Sequence, residues 1–335
     1  MSRTSTDQRA FRLAVSIINY RTADLTWTCV QSVLADLQGR DDAVVIIIDN
    51  ASGDGSADKL ADRIAALPAG AGEVRLIRSP VNGGFSAGHN QGLAAVRADY
   101  YLVLNSDAVL RPGFSAAILS AADAAPDHFG LFAPCIVYDD GVQQTSLFRF
   151  ASPASELIRA AGNRPVTWAL SRWDVPLRMP PSPEDIGWAS FACILLKGEM
   201  IDQIGPMDEE YFLYFEDAEY SLRARRAGWH ILYVPDAQAI HFRGGSGPVK
   251  TMQAERKRLP RYLYVSRNRF MRQAHGPLGP VAANLAFHAG RVLARLKWCY
   301  GKRAVAVSER ESRDIWINAR HPLSRDSASW PEGRD

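Results

Sequence analysis

Cysteine is scarce in this chain. Its four copies, Cys29, Cys135, Cys193 and Cys299, stand far apart and form no CxxC pair, so no zinc cluster is indicated. Cys135 and Cys193, in apolar strand-like runs, read as reduced buried thiols. Long apolar runs are missing as well. None reaches the length of a transmembrane helix, and residues 1–12 are polar, without the apolar stretch of a signal peptide. A cytosolic protein is expected, with contact to a membrane surface left open. A net charge of only +3 does not point to nucleic acid. What the chain does have is 335 residues and 47% apolar composition, enough to bury a sizeable core as one large α/β domain or two smaller ones. Its charge is uneven: residues 250–310 carry fourteen Lys/Arg against two acids, which suggests a separate partner for that part.

The first half alternates short β-type runs with helical stretches. Strands are expected at 13–18 (LAVSII), 44–48 (VVIII), 74–77 and 100–104 (YYLVL), with helices at 22–37, 55–67, 86–96 and 113–124. Strands that are apolar throughout and separated by helices imply an α/β fold with a mostly parallel central sheet covered on both faces. In such a sheet ligands collect beyond the carboxyl ends of the strands. Polar clusters sit there: Asn19-Tyr20-Arg21, Asp49-Asn50, Arg78-Ser79 and Asn105-Ser106-Asp107. Each alone also suits an ordinary turn or cap. From 142 to 183 six prolines make the pattern irregular, with a helix expected at 154–161. A strand at 188–196 follows, then a helix from Glu216 to Arg226 and a last strand at 231–234 before Pro235.

Four groups have the chemistry of a site. Asp107, after a buried strand, can hold a hard divalent cation that neutralises a diphosphate. The run 82–92 (NGGFSAGHNQG) enters a helix, and its glycines let backbone approach a ligand. Glu216-Asp217 opens a helix behind the aromatic run YFLYF, surroundings that raise a carboxylate's proton affinity toward that of a general base. His241 is a candidate metal ligand or phosphate contact.

In order, VSIINYRT, IIIDNASGDGS, NGGFSAGHNQG, YLVLNSDAVL, YFLYFEDAEYSLRARRAGW and HFRGGS resemble the family-2 glycosyltransferases of GT-A fold, especially their rhamnosyltransferase-like branch. The resemblance implies an inverting transferase using Mg²⁺ or Mn²⁺. It implies that Asn19, Tyr20 and Arg21 surround the nucleotide base and that Asp49 bonds a pyrimidine N–H. Asn82, Gly83 and Phe85 would line the donor pocket with Asn90 beside it. Asp107 and His241 would hold the metal, Trp188 would face donor sugar and acceptor, and Asp217, with Glu216 beside it, would be the base. One position departs from the pattern: the metal triplet begins with Asn105, not Asp, and an amide oxygen there serves the ribose or ligates weakly.

The resemblance divides the chain into an N-terminal tail (1–12), a GT-A domain (13–246, with a nucleotide-binding half 13–110 and an acceptor and catalytic half 111–246), a basic helical extension (247–320) and a loose tail (321–335). Residues 281–300 have helical apolar spacing with Arg291 and Arg295 one turn apart. Such a helix lies on an anionic membrane surface or packs on the catalytic domain. The implied partners are a nucleotide-sugar donor, with dTDP-rhamnose favoured and UDP- or GDP-sugars open, and a glycan or lipid-linked acceptor. The implied place is the inner face of the cytoplasmic membrane, in cell-surface polysaccharide synthesis. Another nucleotide-sugar enzyme, such as a nucleotidyltransferase, and a non-catalytic binding homologue are the competing readings.

Overall fold

Residues 10–242, 249–296 and 306–324 are described by a computed structural model of the chain. Expectations for the tail up to residue 9, the stretch after Phe242, Cys299, the helix end at 297–300 and the tail from 325 lie outside the described residues. Two units emerge: Met1–Ser146 with Ala189–Glu209 and Arg223–Ser246, and Leu147–Trp188 with Glu210–Leu222 and Gly247–Asp335.

The strands in chain order are β1 (Ala10–Asn19), β2 (Ala43–Asp49), β3 (Glu73–Arg78), β4 (Arg97–Asn105), β5 (Ala108–Leu110), β6 (Phe129–Val137), β7 (Leu147–Phe148), β8 (Trp188–Ala189), β9 (Cys193–Lys197) and β10 (His230–His241). The helices are α1 (Ala23–Asp36), α2 (Ser56–Ala65), α3 (Gly84–Ala94), α4 (Phe114–Ala124), α5 (Pro153–Ala161), α6 (Arg164–Ala169), α7 (Gly198–Ile204), α8 (Glu216–Arg226), α9 (Val249–Ala254), α10 (Arg261–His275), α11 (Gly279–Leu296) and α12 (Glu311–Asp314).

The first unit is built on an eight-stranded sheet in the order β3-β2-β1-β4-β9-β6-β10-β5. β3, β2, β1 and β4 are parallel neighbours, as is the β6–β10 pair. β9 runs antiparallel between β4 and β6, and β5 antiparallel to β10. Apolar runs reveal burial on both faces but not strand direction, so the mixed second half was not legible in the pattern. All seven residues of β2 are buried, and each fully buried Ile or Val contributes about 1.5–3 kcal/mol.

Two strands differ from expectation. The run 188–196 is broken into β8 and β9, with Ala192 O between them accepting the Asn105 N–H at 2.9 Å. β10 does not stop at Pro235. It continues to His241 through a register shift, Val234 facing Pro134 but Gln238 facing Cys135. The irregularity accommodates a proline that has no N–H to give the ladder.

α3 lies unusually close to the sheet. A Cβ at Gly92 would sit 2.4 Å from Ser16 Oγ and 2.9 Å from Ile48 Cδ1, and one at Gly88 would sit 2.7 Å from Ile18 Cδ1. These two glycines, one turn apart, serve helix-on-sheet packing rather than approach to a ligand.

In the second unit α5 begins at a capping box, Ser152 accepting the Ser155 N–H with Pro153 as first residue, and ends at Gly162 in the left-handed region. Phe212, Tyr262, Phe287 and Ile315 form one core and Tyr211, Phe270 and Ala218 another. α11 lies on α5 so closely that a Cβ at Gly290 would meet Leu157 O at 2.5 Å. A buried polar network ties the helices together: Glu156 takes Arg159 and Arg267, each at 2.8 Å, and Arg267 reaches Asn284 Oδ1 at 2.7 Å.

Candidate active site

β1 and β2 end in register, with Asn19 opposite Asp49. Asn19 Nδ2 donates to Asp49 Oδ1 at 2.7 Å and to Ser52 Oγ at 3.1 Å, while Asn19 Oδ1 accepts from Thr26 Oγ1 at 2.8 Å. Asp49 also receives the Ser52 N–H and hydroxyl, at 3.1 and 2.6 Å. Asn19 is 0% exposed, and its polar groups are committed to protein. It therefore holds Asp49 in place. Tyr20 is 36% exposed, and the exposed Arg21 lays its guanidinium 5.2 Å from the Tyr20 ring centroid. Arg21 and Ala51, just past the two strand ends, have φ of 59° and 55°. Non-glycine residues adopt this region rarely, and such outliers cluster at binding and catalytic sites.

The glycine-rich turn is fastened by an amide that sequence reasoning did not single out. Asn50, at the end of β2, donates to Asn82 Oδ1 and to Gly84 O, both at 3.0 Å, and Asn82 Oδ1 also accepts the Gly84 N–H at 3.1 Å. Gly84 itself has φ of 81°. Gly83 is buried, and a Cβ there would meet Ala87 Cβ at 2.6 Å. Half-buried Phe85 leans on His89, ring centroids 4.4 Å apart. Burial pushes the His89 imidazole down to about 3, so it is neutral against Ser16 Oγ at 2.9 Å. Asn90, expected beside the donor pocket, clamps another segment. It exchanges bonds with the Met207 backbone, N and O each at 3.0 Å, and reaches Glu209 at 2.9 Å. Its donors and acceptor are used in this way to position chain.

Asp107 and His241 are 134 positions apart in sequence and meet in space. β5 pairs Ala108 with His241, and Phe242 N–H bonds Asp107 O at 2.9 Å. The result is His241 Nε2 at 3.3 Å from Asp107 Oδ1, with Asp107 1% and His241 9% exposed. Gln144 completes the cluster. Its Nε2 donates to His241 O at 2.7 Å and Val137 O at 3.0 Å, and its Oε1 lies 3.4 Å from His241 Nδ1. Asn105, half-buried, stands two residues before Asp107. A carboxylate and an imidazole suit a borderline ion such as Mn²⁺ better than Mg²⁺. Among the described residues no group of three or more His, Cys, Asp or Glu is placed to hold a metal.

In the second unit the chain enters α8 through Tyr214 and Phe215, with φ of 70° and 69°. Two consecutive left-handed aromatic residues are strained, and their rings are held against Tyr262 and Phe270. Glu216, next in line, is 6% exposed and its Oε2 has no hydrogen-bond partner. Burial first, and the charge of Asp217 second, push the Glu216 carboxyl well above the usual range. The raised proton affinity expected of the acid pair thus falls on Glu216. Asp217 is only half-buried, and its Oδ1 accepts the Ala218 N–H at 2.8 Å. Trp188 stacks on Phe148 with ring centroids 4.2 Å apart, and its indole N–H donates to Arg149 O at 3.0 Å. What Trp188 can offer a sugar is ring face.

A cavity of about 450 Å³ lies elsewhere, at the amino ends of β1 and β4, lined by Arg12, Arg97, Tyr100 and Lys197 among others. It contains none of the sequence-derived site residues.

Residues 14–167 match the family model of Glycosyl transferase family 2. The chain is 29% identical over 232 residues to the N-acetylglucosaminyl-diphospho-decaprenol L-rhamnosyltransferase of Mycobacterium tuberculosis, spanning 64% of this chain and 72% of that protein. It is 25% identical over 173 residues to the low-salt glycan biosynthesis hexosyltransferase Agl10 of Haloferax volcanii, spanning 50% and 52%. In fold it resembles the mannosyltransferase PcManGT from Pyrobaculum calidifontis, solved with GDP-Man and Mn²⁺, at a TM-score of 0.54 and 13% identity over 87% of this chain and 76% of that one. It also resembles S. aureus TarS 1-349, at 0.53 and 14% over 92% and 79%. The chain thus resembles the glycosyltransferases of family 2 over residues 14–167, its relatives include a rhamnosyltransferase, and its fold is GT-A.

Proposed function

We propose that the protein is an inverting glycosyltransferase that moves a sugar, rhamnose from a dTDP donor being favoured, onto a hydroxyl of a glycan or lipid-linked acceptor in cell-surface polysaccharide synthesis. The observation that carries this reading is the meeting of Asp107 with His241 at 3.3 Å beyond the end of β4, in a unit whose strand ends also present Asp49 and Tyr20. The rhamnosyl donor and the lipid-linked acceptor are taken from the name of the mycobacterial relative.

Asp49, fixed by Asn19 and Ser52, accepts a base N–H, and Tyr20 and Arg21 cover the base. Asp107 and His241 would hold a divalent cation, with Asn105 as a weak additional oxygen donor. When bound, the cation neutralises charge that gathers on the departing diphosphate. An acceptor hydroxyl is a poor nucleophile near neutral pH, so a base must take its proton as it attacks the anomeric carbon. Asp217 serves, because Glu216 beside it keeps its own proton and does not compete for the acceptor's. The hydroxyl oxygen bonds to the anomeric carbon as the diphosphate oxygen leaves, and this single displacement inverts that centre. A lipid-linked acceptor would make the protein peripheral at the inner membrane face.

The test is Asp217→Asn, assayed with dTDP-rhamnose, acceptor and Mn²⁺. Transfer should fall by at least about 10³-fold while dTDP still binds. Wild-type transfer in the variant would refute the assignment of the base, and binding without transfer in the native chain would favour a non-catalytic homologue.

A further inference from the structure

The outward face of α11 is apolar and uncovered. Val281, Leu285 and Val292 are 37, 58 and 56% exposed, and Leu278, just before the helix, is 74% exposed. Their spacing of three, four and seven residues sets them on one side. The opposite side, with Ala283, Phe287 and Ala294 at 0% exposure, is already buried. A helix apolar on both sides is unlike an ordinary surface helix, which turns charge to water. Trp316, 39% exposed, flanks the stripe, its indole N–H on His288 Nε2 at 3.1 Å and the two rings stacked. No described helix is long and apolar enough to cross a membrane.

The charge around it selects the surface. Residues 249–296 and 306–324 contain 13 Lys/Arg and four Asp/Glu. Two of those acids, Glu311 and Asp314, are buried and paired with Arg159 and Arg258, and Arg267 is itself buried against Glu156, so with Arg258 and Arg267 set aside eleven cations and two acids remain. α11 itself has no acid, and its last two turns carry Arg291 and Arg295. An apolar stripe, a flanking tryptophan and a strong basic excess match the recognition chemistry of an anionic phospholipid surface, where apolar side chains enter the headgroup boundary and cations meet phosphate.

We propose that α11 and Trp316 form the docking face by which this protein lies on an anionic membrane. The inference deepens the reading of a lipid-linked acceptor and rests on it for its purpose, but its test needs neither donor nor acceptor. A failed docking experiment and a failed transfer assay are therefore distinguishable.

The experiment is co-sedimentation of the full chain with vesicles of phosphatidylcholine alone or with about 30% phosphatidylglycerol. The wild-type chain should sediment with the anionic vesicles, stay in the supernatant with the neutral ones, and dissociate as salt is raised to about 0.5 M. The double variant Leu285→Glu, Val292→Glu should bind at least about tenfold more weakly. Both sites are more than half exposed, and an unchanged Tm confirms the fold. Leu285→Ser with Val292→Ser should weaken binding in the same direction without adding charge. A wild-type chain that ignores anionic vesicles overturns the proposal, as does a double variant that binds as well as wild type. A concentration-dependent dimer, abolished by the same substitutions and without vesicle binding, would overturn it in favour of a second copy on this face.

Discussion

Replacing Asn19 by alanine tests whether the strand-end cluster is a scaffold for Asp49 or a direct contact to the base. The side chain is 0% exposed and makes four hydrogen bonds: one to the Asp49 carboxylate, one to Ser52, one from Thr26 and a longer one, 3.5 Å, from Thr22. A bond to a charged acceptor contributes about 1.5–3 kcal/mol and a neutral one about 1 kcal/mol. Ser52 and Thr26 can re-pair in part, so the net loss in Asn19→Ala should be about 2–4 kcal/mol. For a unit of about 150–250 residues each kcal/mol lowers Tm by about 2–4 °C, so a drop of roughly 5–12 °C is expected in a thermal melt. Calorimetric titration with dTDP should show affinity reduced about tenfold, because Asp49 loses its shortest donor from a neighbouring strand. Thr26→Val is the control: it removes one neutral bond to the same amide, costs about 1 kcal/mol, and leaves dTDP affinity unchanged. Loss of affinity in Asn19→Ala with Tm unaltered would refute the scaffold argument and return Asn19 to the ligand.

Glu216→Gln removes a group that the folded chain keeps protonated. Its folded proton affinity is raised, so its contribution to stability is complete in acid and is lost as pH rises through that raised value. The Tm of the variant relative to wild type should therefore climb from about pH 4 upward, and a difference independent of pH would count against the buried neutral acid. Gln144→Leu should raise the Mn²⁺ concentration needed for half-maximal transfer by about 10–100-fold, with dTDP affinity in the absence of metal unchanged. Equal losses in both would mean that Gln144 merely supports the fold. In Glu156→Gln the buried Arg267 loses its counter-charge. Burial alone would raise the Glu156 carboxyl, but Arg159 and Arg267 outweigh it and hold it down at about 2. Denaturant unfolding should show a loss of about 3–5 kcal/mol, and a loss below 1 kcal/mol would show that the network is not strongly coupled.

Periodicity made the first half of the sheet legible, because its strands are apolar on both faces and its connections are helical. The second half was harder to read. β10 hides behind Pro235, which ends most strands but here sits in an irregularity, and without the continuation to His241 nothing in the sequence brings that histidine to Asp107. The resemblance to a family named both residues, but only the pairing of β5 with β10 supplies a physical reason for them to meet. Gly88 and Gly92 illustrate the opposite failure. A glycine-rich entry to a helix suggests a ligand, whereas the contacts their missing Cβ atoms would make are with Ile18, Ser16 and Ile48. Residue identity alone does not say which neighbour requires the space.

The side chains that shape the first unit's site are largely amides. Asn19 fixes Asp49, Asn50 fixes the glycine turn, Asn90 fixes Met207 and Glu209, and Gln144 fixes His241. An amide donates and accepts at once, so a single side chain can satisfy a backbone carbonyl and a neighbouring acceptor in a buried place. It also carries no charge. A carboxylate at Gln144 would set a second anion beside Asp107 and raise the proton affinity of both. A lysine there would repel the cation that Asp107 and His241 are suited to hold. Neutral supports thus leave Asp49 and Asp107 as the carboxylates of the two strand-end clusters, with the separate roles proposed above: one for a neutral base N–H, the other for a metal. By this reasoning Gln144→Glu should do more harm than Gln144→Leu, although it keeps nearly the same shape. If the two variants lost metal response equally, charge would not be the reason an amide stands there.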